Sequence, residues 1–165
     1  MRLSVLRPAF VATSIAWALI LPLASWVASA PHVTAWSASF VIAIYGAGSL
    51  VCHQLPHRSF RLFSAQMPVC ARCTGIYAGA AIAAAIAAVL GDQPPATERR
   101  WDIRLVLGLA ALPCAITLVD EWTTGVMPSN FVRAAAGLPL GAAVAWLVTM
   151  RTLHEAARRP DHSKG

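Results

Sequence analysis

Five apolar runs, at about residues 9–30, 33–51, 74–90, 104–120 and 133–150, take up most of this 165-residue chain. Each is close to the ~17–25 residues a helix needs to cross the hydrocarbon of a bilayer. Water is absent there, so a spanning segment must satisfy its own backbone hydrogen bonds, and runs of this length do so as helices. A composition of 58% hydrophobic and 12% charged residues, with mean hydropathy +0.62, lies far from that of a soluble domain. The expected fold is all-α, a polytopic transmembrane bundle of about five spans. It forms a single membrane domain, residues 1–165, because the connecting loops are too short to fold alone, with a polar tail over 151–165.

The first run has two readings. Arg2, Arg7, the apolar stretch and Ala28-Ser29-Ala30 resemble a signal peptide with a small-residue cleavage site. The stretch is long for that role, which favours an uncleaved helix. The third and fifth runs carry small residues at four-residue intervals, Gly75, Gly79, Ala83, Ala87 and Gly137, Gly141, Ala145. Such stripes let helix backbones approach closely, although an Ala-rich helix shows them by chance as well.

The net charge of +6 does not read as nucleic-acid binding, because the basic residues flank apolar runs or sit in tails and no aromatic–basic interleaving accompanies them. The expected partner is the lipid bilayer of a cell membrane, for a bacterium the inner membrane, crossed several times. Parity of five spans would place the N-terminus with the cysteine loop and the 120–133 loop on one face. On that arrangement Arg2, Arg7, Arg58, Arg61, Arg72 and Arg133 oppose Arg99, Arg100, Arg104, Arg151, Arg158, Arg159 and Lys164, a near tie that leaves the orientation open.

The chemistry concentrates between the second and third runs, where Cys52-His53-Gln54 is followed by Cys70-Ala71-Arg72-Cys73. Pro68 and the helix-favouring run after Thr74 start the third helix near Cys70, which puts Cys70 and Cys73 on one face of its first turn. A helix N-terminus and Arg72 both favour thiolate. A CxxC pair, a third cysteine upstream and an imidazole make a Cys3His set, with His53 or His57 as the fourth ligand. Zinc is the default metal, with iron or copper as the other thiolate-compatible choices. Thiol–disulfide exchange by Cys70 and Cys73 is the rival chemistry, and purely structural cysteines are the third reading. Cys114 lies in the apolar run 110–119 and reads as a small buried hydrophobe. His32, His154 and His162 stand apart in a loop or the tail.

A second group, Asp120-Glu121-Trp122 with Ser129, Asn130 and Arg133, comes to the same face through antiparallel helices. Asp120 should find Arg133 or Arg72 as a partner, and Ser129 or Asn130 should cap the fifth helix. The plain reading is an anchoring charge pair. The functional one is a carboxylate orienting a metal-bound imidazole, with Arg58, Arg61, Arg72 and Arg133 holding an anionic lipid or small anion. Asp120 or Glu121 acting as general base is a further reading.

The stretch Cys52-His53-Gln54-Leu55-Pro56-His57-Arg58-Ser59-Phe60, continued by residues 67–79, resembles the prokaryotic membrane-protein family called domain of unknown function 2085. The resemblance covers about residues 45–145 and extends to Asp120, Asn130, Arg133, Gly137 and Gly141. It implies a small multi-spanning membrane protein and no particular activity. His57 departs from the charged residue expected there in relatives, which favours His53 as the ligand, and the first apolar run stands as an addition. The leading expectation is a metal site of Cys52, His53, Cys70 and Cys73 at one membrane interface, supported by Asp120 and Arg133. Its rivals are a membrane thiol oxidoreductase and a lipid- or anion-binding module.

Overall fold

The computed structural model describes residues 3–32, 34–90 and 102–158. Arg2, Arg99, Arg100, Arg159, His162 and Lys164 lie outside the described residues. Five helices follow one another: α1 (Leu3–Ala28), α2 (Ala35–Ser49), α3 (Ala71–Leu90), α4 (Ile103–Thr124) and α5 (Asn130–Arg158). A single 3-10 turn, Pro56–Arg58, and a two-stranded hairpin, β1 (Arg61–Leu62) with β2 (Ala65–Gln66), separate α2 from α3. The all-α bundle of about five apolar helices is what the sequence led us to expect. Among the described residues four helices are long and apolar enough to cross a membrane, at Leu6–Ala28, Ala71–Leu90, Ile103–Thr124 and Asn130–Met150. The exception, α2, has 15 residues, or about 22 Å at the α-helical rise, against ~30 Å of hydrocarbon.

Local chemistry sets the ends. Thr34 and Ser37 form a reciprocal capping box on α2. The Asp102 carboxylate accepts from the Arg104 N–H at 3.0 Å to start α4, which runs on through Pro113 and is longer than the sequence suggested. Gly125 ends it at φ 69°, donating its N–H to the Glu121 carbonyl at 3.1 Å. The Ser129 hydroxyl accepts from the Val132 N–H at 3.3 Å and caps α5.

The centre of the bundle is a seam between α3 and α5, which run parallel, with α4 returning between them in sequence. Gly75 meets the Ala134 backbone, Gly79 that of Leu138, and Gly141 that of Ile76, so closely that a Cβ at any of them would collide with a carbonyl. Both small-residue stripes are therefore true packing faces, and Ala83, Ala87, Gly137 and Ala145 are buried with them. None of the apolar window of α4 is buried within the protein, so Leu105, Leu109 and Ile116 are left for lipid.

The position of α1 corrects the parity argument. Arg7 donates to the Ala87 carbonyl at 2.7 Å, Trp17 packs edge-on against Tyr77, and Leu21 packs with Met67 and Val69. Hence α1 runs antiparallel to α3, and its N-terminus lies at the end away from the cysteines. The reason is the shortness of α2: it starts where α1 finishes, and its last turn lies at Pro68, where a Cβ on Gly48 would strike the proline carbonyl. Trp26, Trp36 and Trp122, around the α1–α2 link and at the end of α4, are all exposed. They give the cysteine end the aromatic belt typical of a membrane–water interface.

Candidate functional site

Cys70 immediately precedes α3, and its carbonyl accepts the Thr74 N–H at 2.9 Å, so Cys73 lies one turn above it. The third thiol arrives from α2. Gln54, in the left-handed region at φ 50°, donates its side-chain amide to the Tyr45 and Pro68 carbonyls at 2.7 Å each. It receives the Gln66 side chain on its own carbonyl at 2.5 Å, while the Tyr45 hydroxyl donates to the Gln66 carbonyl. These bonds tie the end of α2 to the hairpin and hold Cys52 against the start of α3.

As a result the ligand atoms of Cys52, Cys70 and Cys73 all lie within 4.8 Å of one another. The Cys70 N–H donates to the Cys52 sulfur at 3.1 Å. The Cys70 thiol is pulled down to about 5, chiefly by a hydrogen bond from the Cys73 side chain and against burial, which raises it. Three clustered sulfurs with one readily ionised suit a thiophilic metal or thiol exchange.

His53 lines a cavity shared with Cys52, Cys70, Cys73, Arg58, Arg72 and Arg133, but it is exposed and does not join the sulfur group. His57 is exposed on the 3-10 turn and does not line the cavity. Cys114 stands apart, its thiol on the Ala136 carbonyl at 3.1 Å, and His32 is exposed.

The acidic partner is Glu121 rather than Asp120. Oε1 of Glu121 pairs with Arg58 Nη2 at 2.6 Å and Arg133 Nη2 at 3.1 Å. The Glu121 and Arg133 side chains are only 4% and 3% exposed. Asp120 is exposed, and among the described residues its carboxylate forms no ion pair. One residue along a helix is a 100° rotation. Cys114, Thr117 and Glu121, spaced three and four apart, form the polar stripe turned to α3 and α5, and Asp120 falls off it. That spacing was the available sequence signal.

The other polar residues complete the wall. Arg72 donates to the Thr117 hydroxyl at 3.2 Å. Asn130 donates to the Ser59 carbonyl at 3.0 Å and accepts from Arg133 at 3.4 Å, joining α5 to the loop. Arg61 lies exposed on the hairpin, outside the cavity. Gln54 was the residue least visible beforehand: nothing in the sequence marks a glutamine as the tie between two distant backbones.

The family model described as "Predicted membrane protein (DUF2085)" matches residues 52–147, from Cys52 to beyond the seam. The chain belongs to this family. It is 58% identical over 38 residues to Uncharacterized protein MJ1492 of Methanocaldococcus jannaschii, a match covering 23% of this chain and 24% of that one. It is 36% identical over 100 residues to an uncharacterized protein of Methanothermobacter thermautotrophicus, covering 59% of this chain and 83% of the relative. The chain thus spans about a quarter of the first relative's length and most of the second's. No solved structure matches it. The family boundary leaves all of α1 and α2 outside the match, while all three clustered cysteines fall within it.

Proposed function

We propose that this multi-pass cell-membrane protein holds one thiophilic metal ion, zinc before iron or copper, on Cys52, Cys70 and Cys73. The observation that carries the reading is the convergence of three sulfurs within 4.8 Å from two separate segments. Thiolates of this number bind zinc in structural and catalytic sites alike, and three protein ligands leave a fourth position open. His53, expected as the fourth ligand, lines the cavity outside that group. We therefore assign the fourth position to a donor from outside the chain, and His53→Ala is expected to keep the metal.

The site faces outward on this reading. With α1 antiparallel to α3, the helix ends that carry Arg7, Arg104, Arg151 and Arg158 are remote from the cysteines, and in the sequence Arg2, Arg99, Arg100, Arg159 and Lys164 adjoin or follow those same helix ends. Only Arg58, Arg61, Arg72 and Arg133 remain at the cysteine end, nine against four, and the basic end of a membrane protein is cytoplasmic. A membrane-impermeant thiol reagent on intact cells is expected to label the cluster once metal is chelated. Labelling only after permeabilisation reverses the orientation.

Elemental analysis of the detergent-purified protein, without a metal-binding tag, tests the metal reading. About one equivalent is expected in the wild type and in His53→Ala, and its loss in Cys73→Ser. Absence of metal in all three, with thiols freed in the wild type by reduction, supports the second reading, thiol–disulfide exchange. Proximity of the thiols and an outward, oxidising location favour that alternative.

A further inference from the structure

We infer that the cavity beside the cysteines binds a phosphate-class oxyanion, carried either by a lipid headgroup or by a free ion. The cavity has a volume of about 410 Å³, and Arg58, Arg72 and Arg133 share its wall with the three clustered cysteines. Glu121 is the carboxylate that pairs with two of them, Arg58 and Arg133. Three guanidinium charges against one carboxylate leave an excess of two positive charges. Three thiolates on a divalent metal would subtract one more charge, so the cavity stays cationic with or without metal. A cationic excess partly withdrawn from water at a membrane interface is costly unless a counter-charge enters.

The hydrogen bonding points the same way. Arg58 is gripped at one terminal nitrogen by Glu121, Arg72 at one by Thr117, and Arg133 at both, by Glu121 and Asn130. The Nε–H groups of all three are buried with no partner among the described residues. Arg133 makes this most telling, since its side chain is 3% exposed. An unmet buried donor is costly, and the three arginines that carry these donors line one cavity. The planar fork of arginine suits the paired oxygens of phosphate, and three forks suit a tetrahedral ion better than a single carboxylate. The guanidinium groups line the cavity whatever occupies the sulfurs, so this inference does not rest on the metal reading.

Inorganic phosphate binding to the detergent-purified full chain, at constant chloride and with or without chelator, is the test. Saturable binding of about one phosphate per chain is expected, weakened at least about tenfold in Arg72→Gln and in Arg133→Gln, since charged hydrogen bonds contribute about 1.5–3 kcal/mol each. Arg61→Gln, outside the cavity, should bind like the wild type. Arg133 also pairs with Glu121 and its loss can unfold the protein, so Arg72→Gln, at a residue tied among the described residues to the Thr117 hydroxyl alone, carries the decision. Repeating the titration in nanodiscs containing phosphatidic acid separates the sources. Loss of phosphate binding there supports a headgroup as the occupant, and unchanged binding supports a free ion. No saturable binding of phosphate or phosphatidic acid by folded wild type, or equal affinity in Arg72→Gln, overturns the inference. Metal content measured on the same samples keeps its failure distinct from that of the metal site.

Discussion

The seam between α3 and α5 and the corner that carries the cysteines lie one turn apart, yet they are held together in opposite ways. At the seam, backbone meets backbone through Gly75, Gly79 and Gly141, and the fit depends on the absence of side chains. At the corner, Gln54 bridges two carbonyls and Glu121 clamps two arginines, so the fit depends on particular polar atoms being present. Lipid tails are as apolar as leucine and reward close packing more than burial. Polar groups at the same depth must find partners or cost several kcal/mol. The comparison teaches that the scaffold is set by size and the site by pairing.

The hardest blow to that contrast should fall on the corner. Glu121→Ala leaves Arg133 buried and uncompensated, and a loss of about 3–5 kcal/mol is expected, read as earlier thermal unfolding by tryptophan fluorescence in detergent. A smaller effect than that of the seam variants would mean that pairing matters less than size even here. At the seam, Gly141→Ala drives a methyl into the Ile76 carbonyl and should cost about 1–3 kcal/mol. Gly108→Ala has nothing within 4 Å and should instead stabilise α4 by about 0.5–1 kcal/mol. Opposite signs for the same substitution in two helices, measured by chemical denaturation, isolate close approach from helix propensity.

Two finer tests concern the corner alone. Gln54→Ala removes two hydrogen bonds and should cost about 1–2 kcal/mol. Because those bonds hold Cys52 to the start of α3, metal content should fall as well, by the same elemental assay that reads Cys73→Ser. Retained metal would show that the cluster holds itself in place. Asp120→Asn, one position from the carboxylate whose loss is the most damaging, should change stability by less than about 0.5 kcal/mol. A large effect would return Asp120 to the site.

Much of the seam was legible because its signal is local. Four-residue spacing of Gly and Ala marks one face of one helix, and each stripe can be recognised without knowing its partner. The CxxC pair was legible for the same reason, since Cys70 and Cys73 are one turn apart on α3. Glu121 was half legible: the stripe of Cys114, Thr117 and Glu121 is local, but an aspartate beside it offers the same chemistry until the facing helix is known. The hairpin was not foreseen. Its turn residues, Phe63 and Ser64 at φ 52° and 70°, lack the Asn-Gly or Asp-Gly signature of such turns.

The sequence by itself determined that this chain lives in a membrane as apolar helices, that two of them carry small-residue faces, and that three of its four thiols gather at one end. Those properties follow from hydropathy and helical spacing, which are short-range. Tertiary structure alone decided that α2 is too short to carry the chain across, that α1 therefore opposes α3, and that Glu121 rather than Asp120 holds the arginines. The direction of a helix and the identity of an ion pair depend on which surfaces meet, and no local pattern encodes that.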